Sequence, residues 1–267
     1  MHTIEVNKDQ AKINTLILNL EVTETLVMIH GMFGNLSQFY MTIAPGLSRH
    51  FKVVMYDIRS HGKSSQHHTG YDLISLTDDL DVLLNKLQIS KCHILGFSYG
   101  ALIALKYAMR FPERIHKIIA VEIPPKSLLP VTFKGAYTFN DFMNFTSTLT
   151  PHVYKNFMRS KRQVENSYKM YDFIFNHTSF VDDMNREDIF SEEDYSSLKL
   201  PVFLFFGKDS PCMPELFRVH DWLRNKEVTV ENGGHGFFME NPEESVRKMN
   251  DFLLKVETPL TQEAVIE

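Results

Sequence analysis

Cys92-His93-Ile94-Leu95-Gly96-Phe97-Ser98-Tyr99-Gly100-Ala101-Leu102-Ile103-Ala104-Leu105 decides the fold. Its first half is a short apolar run that reads as a central strand. Its second half is small and apolar, suits a helix buried against that sheet, and stops before Pro112. Gly96-Phe97-Ser98-Tyr99-Gly100 lies at the junction and fits G-x-S-x-G. Five residues alone say little, but a strand before and a helix after place the serine on a tight, strained turn with its hydroxyl above the sheet.

Outward from this stretch, β-rich runs alternate with amphipathic segments, the pattern of parallel strands joined by helices. Strands are expected at Ile13 to Leu20, Thr25 to Ile29, Phe51 to Tyr56, His116 to Ile123, Pro201 to Phe206 and Glu227 to Val230. A turn at His30-Gly31-Met32-Phe33-Gly34-Asn35 leads into a helix expected to run through Leu47. Leu76, Leu80, Leu83, Leu84 and Leu87 recur at helical intervals between Leu73 and Leu87, so that helix packs one face on the sheet. Further helices are expected over Met213 to Arg224 and Ser245 to Val256. The alternation breaks between 126 and 198, a stretch rich in Phe, Tyr and Met with helical spacing at Phe139 to Phe145 and Val164 to Phe175. The expected organisation is a core of 1–125 with 199–267 and an inserted cap of 126–198.

A serine hydroxyl is a poor nucleophile at neutral pH; it needs a base, and the base an orienting carboxylate. Asp209, in Phe206-Gly207-Lys208-Asp209, follows a strand and falls at the carboxyl edge of the sheet, where ligands of α/β folds collect. His235, in Asn232-Gly233-Gly234-His235-Gly236, follows the last strand in a loop able to carry an imidazole over the serine. The order Ser98, Asp209, His235 is the one expected for this arrangement. Acyl transfer also requires donors for an oxyanion, and the expected pair is the backbone N–H groups of Tyr99 and Met32. Their side chains are expected to line an acyl pocket.

These residues together resemble the α/β-hydrolase superfamily, especially its compact carboxylesterase and acyl-thioester hydrolase branch. The resemblance rests on His30-Gly31-Met32-Phe33-Gly34, Asp57-Ile58-Arg59-Ser60-His61-Gly62-Lys63-Ser64, the Ser98 turn, Gly207-Lys208-Asp209 and Gly234-His235. It spans nearly the whole chain outside the cap. It implies an α/β-hydrolase fold, a mostly parallel sheet flanked by helices with a helical cap, and cleavage of a carboxylic ester or thioester through a Ser98 acyl-enzyme. The same triad supports C–C hydrolysis or a lyase, and the same fold serves as a ligand receptor with little turnover. Relatives sometimes recruit an acid at the end of the strand before the cap, which makes Glu122 the reserve to Asp209. Ser60 and Ala101 depart from the family, which commonly has glycine at both. His30 and His61 sit in turns that the family uses structurally.

Composition narrows the rest. The 267 residues carry a net charge of −5, with 43% hydrophobic and 23% charged residues, which excludes fibrous and disordered classes and gives no reason to expect nucleic acid. The first residues lack the pattern of a signal peptide and no stretch is apolar for long enough to span a bilayer, so a cytoplasmic protein without a membrane span is expected. The two cysteines, Cys92 and Cys212, match no metal spacing; neither metal nor cofactor is expected. The expected partner is a small acyl ester or thioester, free or on a carrier protein, with the chain a monomer or homodimer. Phe33, Phe139, Phe142 and Met143 are the candidate substrate contacts. Lys155, Arg159, Lys161, Arg162 and Lys169 form a basic cluster suited to an acidic carrier or a phosphate, or simply to a solvated helix face.

Overall fold

In the computed structural model, which describes residues 2–6, 11–126, 137–149, 161–186 and 190–256, the apolar runs become one eight-stranded sheet. Its strands are β1 His2–Val6, β2 Ala11–Leu18, β3 Thr25–Ile29, β4 Lys52–Tyr56, β5 Cys92–Phe97, β6 Ile115–Val121, β7 Val202–Gly207 and β8 Lys226–Glu231. They lie in the order β1-β2-β4-β3-β5-β6-β7-β8, with β1, β2 and β4 paired antiparallel and the remaining pairs parallel. Every residue of β3, β5 and β7 is buried, because helices cover both faces. Continuous apolar runs, rather than alternating ones, follow from that burial.

Helices α3 (Leu73–Lys86) and α4 (Tyr99–Arg110) pack on one face, where Leu76, Leu80, Leu83, Leu102 and Leu105 join Ile94 and Ile118. The other face is covered by α1 (Ser37–Tyr40), α2 (Ala44–Leu47), α10 (Phe237–Glu240) and α11 (Pro242–Leu254), through Phe39, Leu47, Phe238 and Met249. The single helix expected up to Leu47 is two one-turn helices. Pro45 stands at the start of α2; it has no N–H to donate and its ring would clash with the carbonyl one turn back, so α1 cannot run on through it. The short strand β1 and helix α10 were not anticipated.

Between β6 and β7 lie α5 (Phe139–Leu149), α6 (Lys161–His177), α7 (Phe180–Arg186) and α8 (Glu192–Ser197), and α9 (Met213–Trp222) joins β7 to β8. Helices α5 and α6 correspond to the helical spacings read in the sequence. Helix α8 begins with a capping box, in which the Ser191 and Asp194 side chains bond each other's backbone N–H. Among the described residues, no helix is long and apolar enough to cross a membrane.

Register fixes what meets at the carboxyl edge. Ile29 is opposite Gly96, Phe97 is opposite Val121, and Val121 is opposite Phe205. One step beyond these pairs stand the turn 30–34, Ser98, Glu122 and the loop after Gly207. The sheet therefore delivers four chain segments to one place before any side chain is considered.

Candidate active site

Ser98 has φ 54° and ψ −121°, a conformation that costs a non-glycine residue on the order of 1–3 kcal/mol. Its N–H donates to the Val121 carbonyl at 2.8 Å and its own carbonyl accepts from Ala101 N–H at 2.8 Å, so both flanks are tied down. The turn closes only because its glycines have no side chains. A Cβ on Gly96 would collide with the Gly100 carbonyl, and one on Gly100 would collide with the Ile29 and His30 carbonyls. That second contact seats the start of α4 on the end of β3. A Cβ on Gly31 would lie 3.2 Å from Ser98 Cβ, which brings the 30–34 turn against the serine. Among the described residues, the N–H of Met32 donates to no carbonyl.

A buried scaffold holds that turn. Asp57 accepts from Leu36 N–H and from the Asn14 amide, each at 2.7 Å, and from Lys63 N–H at 2.9 Å. Arg59 forms a two-pronged pair with Asp79, both contacts 2.8 Å. Ser60 has φ 61°, the left-handed value that explains why glycine is common there, and its hydroxyl meets Tyr71 Oη at 2.6 Å. His30 donates from Nδ1 to Gly31 O at 2.8 Å and accepts at Nε2 from Ile58 N–H at 3.0 Å, a pattern that only the neutral ring satisfies. Burial lowers His30 to about 4, and burial together with the neighbouring His30 lowers His61 to about 3.

These two histidines make stability acid-sensitive. Each binds a proton in the unfolded chain near pH 6.5 but not in the folded chain until about 4 or 3, so the unfolded state holds more protons between those values. Their stabilising effect is complete above about pH 6.5 and is lost as pH falls. His61→Gln should flatten the fall in urea-unfolding free energy between pH 6.5 and 4 by about one proton, or about 1.4 kcal/mol per pH unit. An unchanged slope would contradict it.

The carboxylate that meets His235 is Glu122 rather than Asp209. Glu122 Oε2 accepts from His235 Nδ1 at 2.9 Å, with 0% of Glu122 and 3% of His235 exposed. Gly207 N–H donates to Oε1 at 2.5 Å, and the Ser210 hydroxyl donates to Oε2. Asp209 is exposed, and its main chain does the work: its N–H donates to Gly233 O at 3.0 Å and so holds the histidine loop. The physical reason lies in the strand end. At φ 57° the Glu122 backbone leaves the sheet in the left-handed region, and its side chain is taken up by donors of the 207–212 segment. The His235 ring packs at a tilt against Phe97, the residue before Ser98, with centroids 4.9 Å apart. The ring thus turns its Nδ1 edge to the carboxylate and leaves Nε2 as its other nitrogen.

The other expected contacts divide. Met32 and Phe33 are half-buried, and Phe33 stacks on Tyr171 and Phe175 of α6 at 5.1 and 5.4 Å. Tyr99's side chain is core rather than pocket wall, donating to Tyr71 O at 3.0 Å. Phe142 is fully buried, and Met143 is half-buried against the core. Phe139, 44% exposed, lines a cavity of about 440 Å³ with Val164, Tyr168, Lys161, Glu165 and Lys169. Lys161, Arg162 and Lys169 are exposed on α6, whereas Lys155, Arg159 and the tail beyond 256 lie outside the described residues. Sequence reasoning missed Ser210 and Cys212. Their only signal was their place three and five residues after Gly207.

Residues 24–242 match the profile of a family described as alpha/beta hydrolase fold. A Haemophilus influenzae protein named "Putative esterase/lipase" is 23% identical over 87% of this chain and 84% of its own. A Danio rerio sn-1-specific diacylglycerol lipase is 37% identical, over 38% of this chain and 32% of its own length. Among solved structures, a meta-cleavage product hydrolase of Pseudomonas fluorescens superposes with a TM-score of 0.76 at 17% identity, covering 95% of this chain and 97% of that one. A Bacillus subtilis carboxylesterase does so with a TM-score of 0.74 at 16% identity, covering 94% and 91%. At these identities the structural matches establish the fold.

Proposed function

The chain belongs to the alpha/beta hydrolase fold family, and we propose that within it this protein is a serine hydrolase that cleaves a carboxylic ester or acyl thioester. The observation that carries the reading is the buried His235–Glu122 pair on the ring next to a conformationally strained Ser98. A buried carboxylate that fixes Nδ1–H leaves Nε2 as the base, and the Gly207 N–H and Ser210 hydroxyl hold that carboxylate in place.

In the proposed mechanism His235 Nε2 takes the Ser98 proton as Oγ attacks the acyl carbonyl. The N–H groups of Met32 and Tyr99 receive the oxyanion. His235 then gives its proton to the leaving alkoxide or thiolate, and an acyl-Ser98 ester remains. Water, deprotonated by the same nitrogen, releases the acid and restores the serine. Segment 126–198 acts as a cap over this site, with the aromatic contacts from Phe33 to Tyr171 and Phe175 joining it to the oxyanion turn. Proteins named for esterase and lipase activity among the relatives support an ester substrate.

Initial rates on aryl esters from acetyl to long acyl chains test the proposal, with intact-mass detection of an acylated Ser98 peptide after rapid quench. A rate that peaks at one chain length, together with that adduct, is the expected result. Turnover with no acyl-serine would point instead to C–C or lyase chemistry. A folded protein with no turnover on the series and no adduct would remove the esterase reading.

A further inference from the structure

Cys212 has no part in the mechanism above, yet its Sγ lies 3.5 Å from His235 Nδ1, which is itself 2.9 Å from Glu122 Oε2. One donor atom from each of the three residues falls within 4.8 Å of the others, and all three side chains are buried. Thiolate, imidazole and carboxylate are the ligands zinc takes from proteins, and three of them leave a fourth position for water. Bonds of about 2.0–2.3 Å in a tetrahedron put neighbouring ligand atoms about 3.3–3.7 Å apart. The sulfur–nitrogen separation already meets that spacing. The nitrogen–oxygen pair needs to open by about half an ångström.

We propose that Glu122, Cys212 and His235 form a site for Zn2+ or a similar borderline-soft divalent cation, and that its occupation turns the catalytic serine off. The sequence hides this site because the three residues are far apart in the chain and fit no ligand spacing. The proposed way in is the histidine loop, where Gly233 has φ 121° and a Cβ built on Gly234 would stand in open space. Burial and the Glu122 charge hold the Cys212 thiol well above its ordinary range, so the cation must displace that proton, and its own charge compensates the thiolate.

The proton account gives the inhibition. Cys212 releases its proton to solvent as the sulfur–metal bond forms. At His235 the Nδ1 lone pair binds the metal, and the ring proton moves from Nδ1 to Nε2. A protonated Nε2 cannot accept the proton of Ser98. This last step rests on the base role proposed above; binding itself does not.

The test is a titration of the metal-free full chain with Co2+, read by absorbance. A single equivalent should produce a thiolate-to-metal charge-transfer band with the visible bands of a tetrahedral site, and Zn2+ should displace it. The band should vanish in Cys212→Ala and persist in Cys92→Ala, since Cys92 lies at the far end of β5 from Ser98. Zn2+ should inhibit ester hydrolysis reversibly to chelator, and at least tenfold less potently in Cys212→Ala. No charge-transfer band in folded wild type, or a band unchanged in Cys212→Ala, overturns the site. Cobalt binding without zinc inhibition of an active esterase overturns the switch. If no esterase activity exists at all, the band still decides the site on its own.

Discussion

Glu122→Gln should lower kcat on the preferred aryl ester by roughly 10³- to 10⁴-fold, whereas Asp209→Asn should leave it within a small factor of wild type. Glutamine keeps the size of glutamate and can still accept one hydrogen bond. It removes the charge that stabilises the imidazolium, and its amide can donate to Nδ1 and so favour the tautomer whose Nε2 carries the proton. Asp209 is exposed, and its N–H bond to Gly233 O survives the change to asparagine. Steady-state kinetics of the two purified variants decide the matter. A large loss in Asp209→Asn with a small one in Glu122→Gln would return the acid to the position expected from the sequence.

Ser98→Ala should cost about three orders of magnitude or more in kcat and abolish the acyl-peptide adduct, while the unfolding transition stays near that of wild type. Alanine meets the same steric cost at φ 54° that serine does, and the bonds that hold the turn are all main-chain. Hydrolysis that persists in this variant at a rate near wild type would dismiss the serine as nucleophile.

The sheet was legible because its strands are buried on both faces and so read as unbroken apolar runs; Thr25–Ile29 and Cys92–Phe97 are found where expected. Ser98 was legible for a related reason, since glycines at 96 and 100 are demanded by backbone approach and leave a visible pattern. The acid was not. Glu122 and Asp209 both follow strands of the same sheet, and the choice between them is made by backbone conformation after β6 and by the donors of Gly207 and Ser210. Side-chain direction of that kind has no sequence period. Phe142 illustrates the limit in the cap: helical spacing placed it on α5, but could not say that its face turns inward to full burial.

The position of Glu122 changes how the molecule can be divided and reshaped. Ser98 and Glu122 lie at the ends of neighbouring strands, tied through the Ser98 N–H bond to Val121 O, and both precede the segment that separates β6 from β7. In the proposed triad, nucleophile and acid therefore belong to one contiguous stretch, and only the base arrives from the other side. Shortening or exchanging the helices between β6 and β7 should therefore leave Glu122 in place relative to Ser98, because the tie between them runs through β5 and β6. The 208–212 loop answers to two partners, the histidine loop through the Asp209 N–H and Glu122 through the Ser210 hydroxyl, while the exposed Asp209 side chain stands outside both contacts.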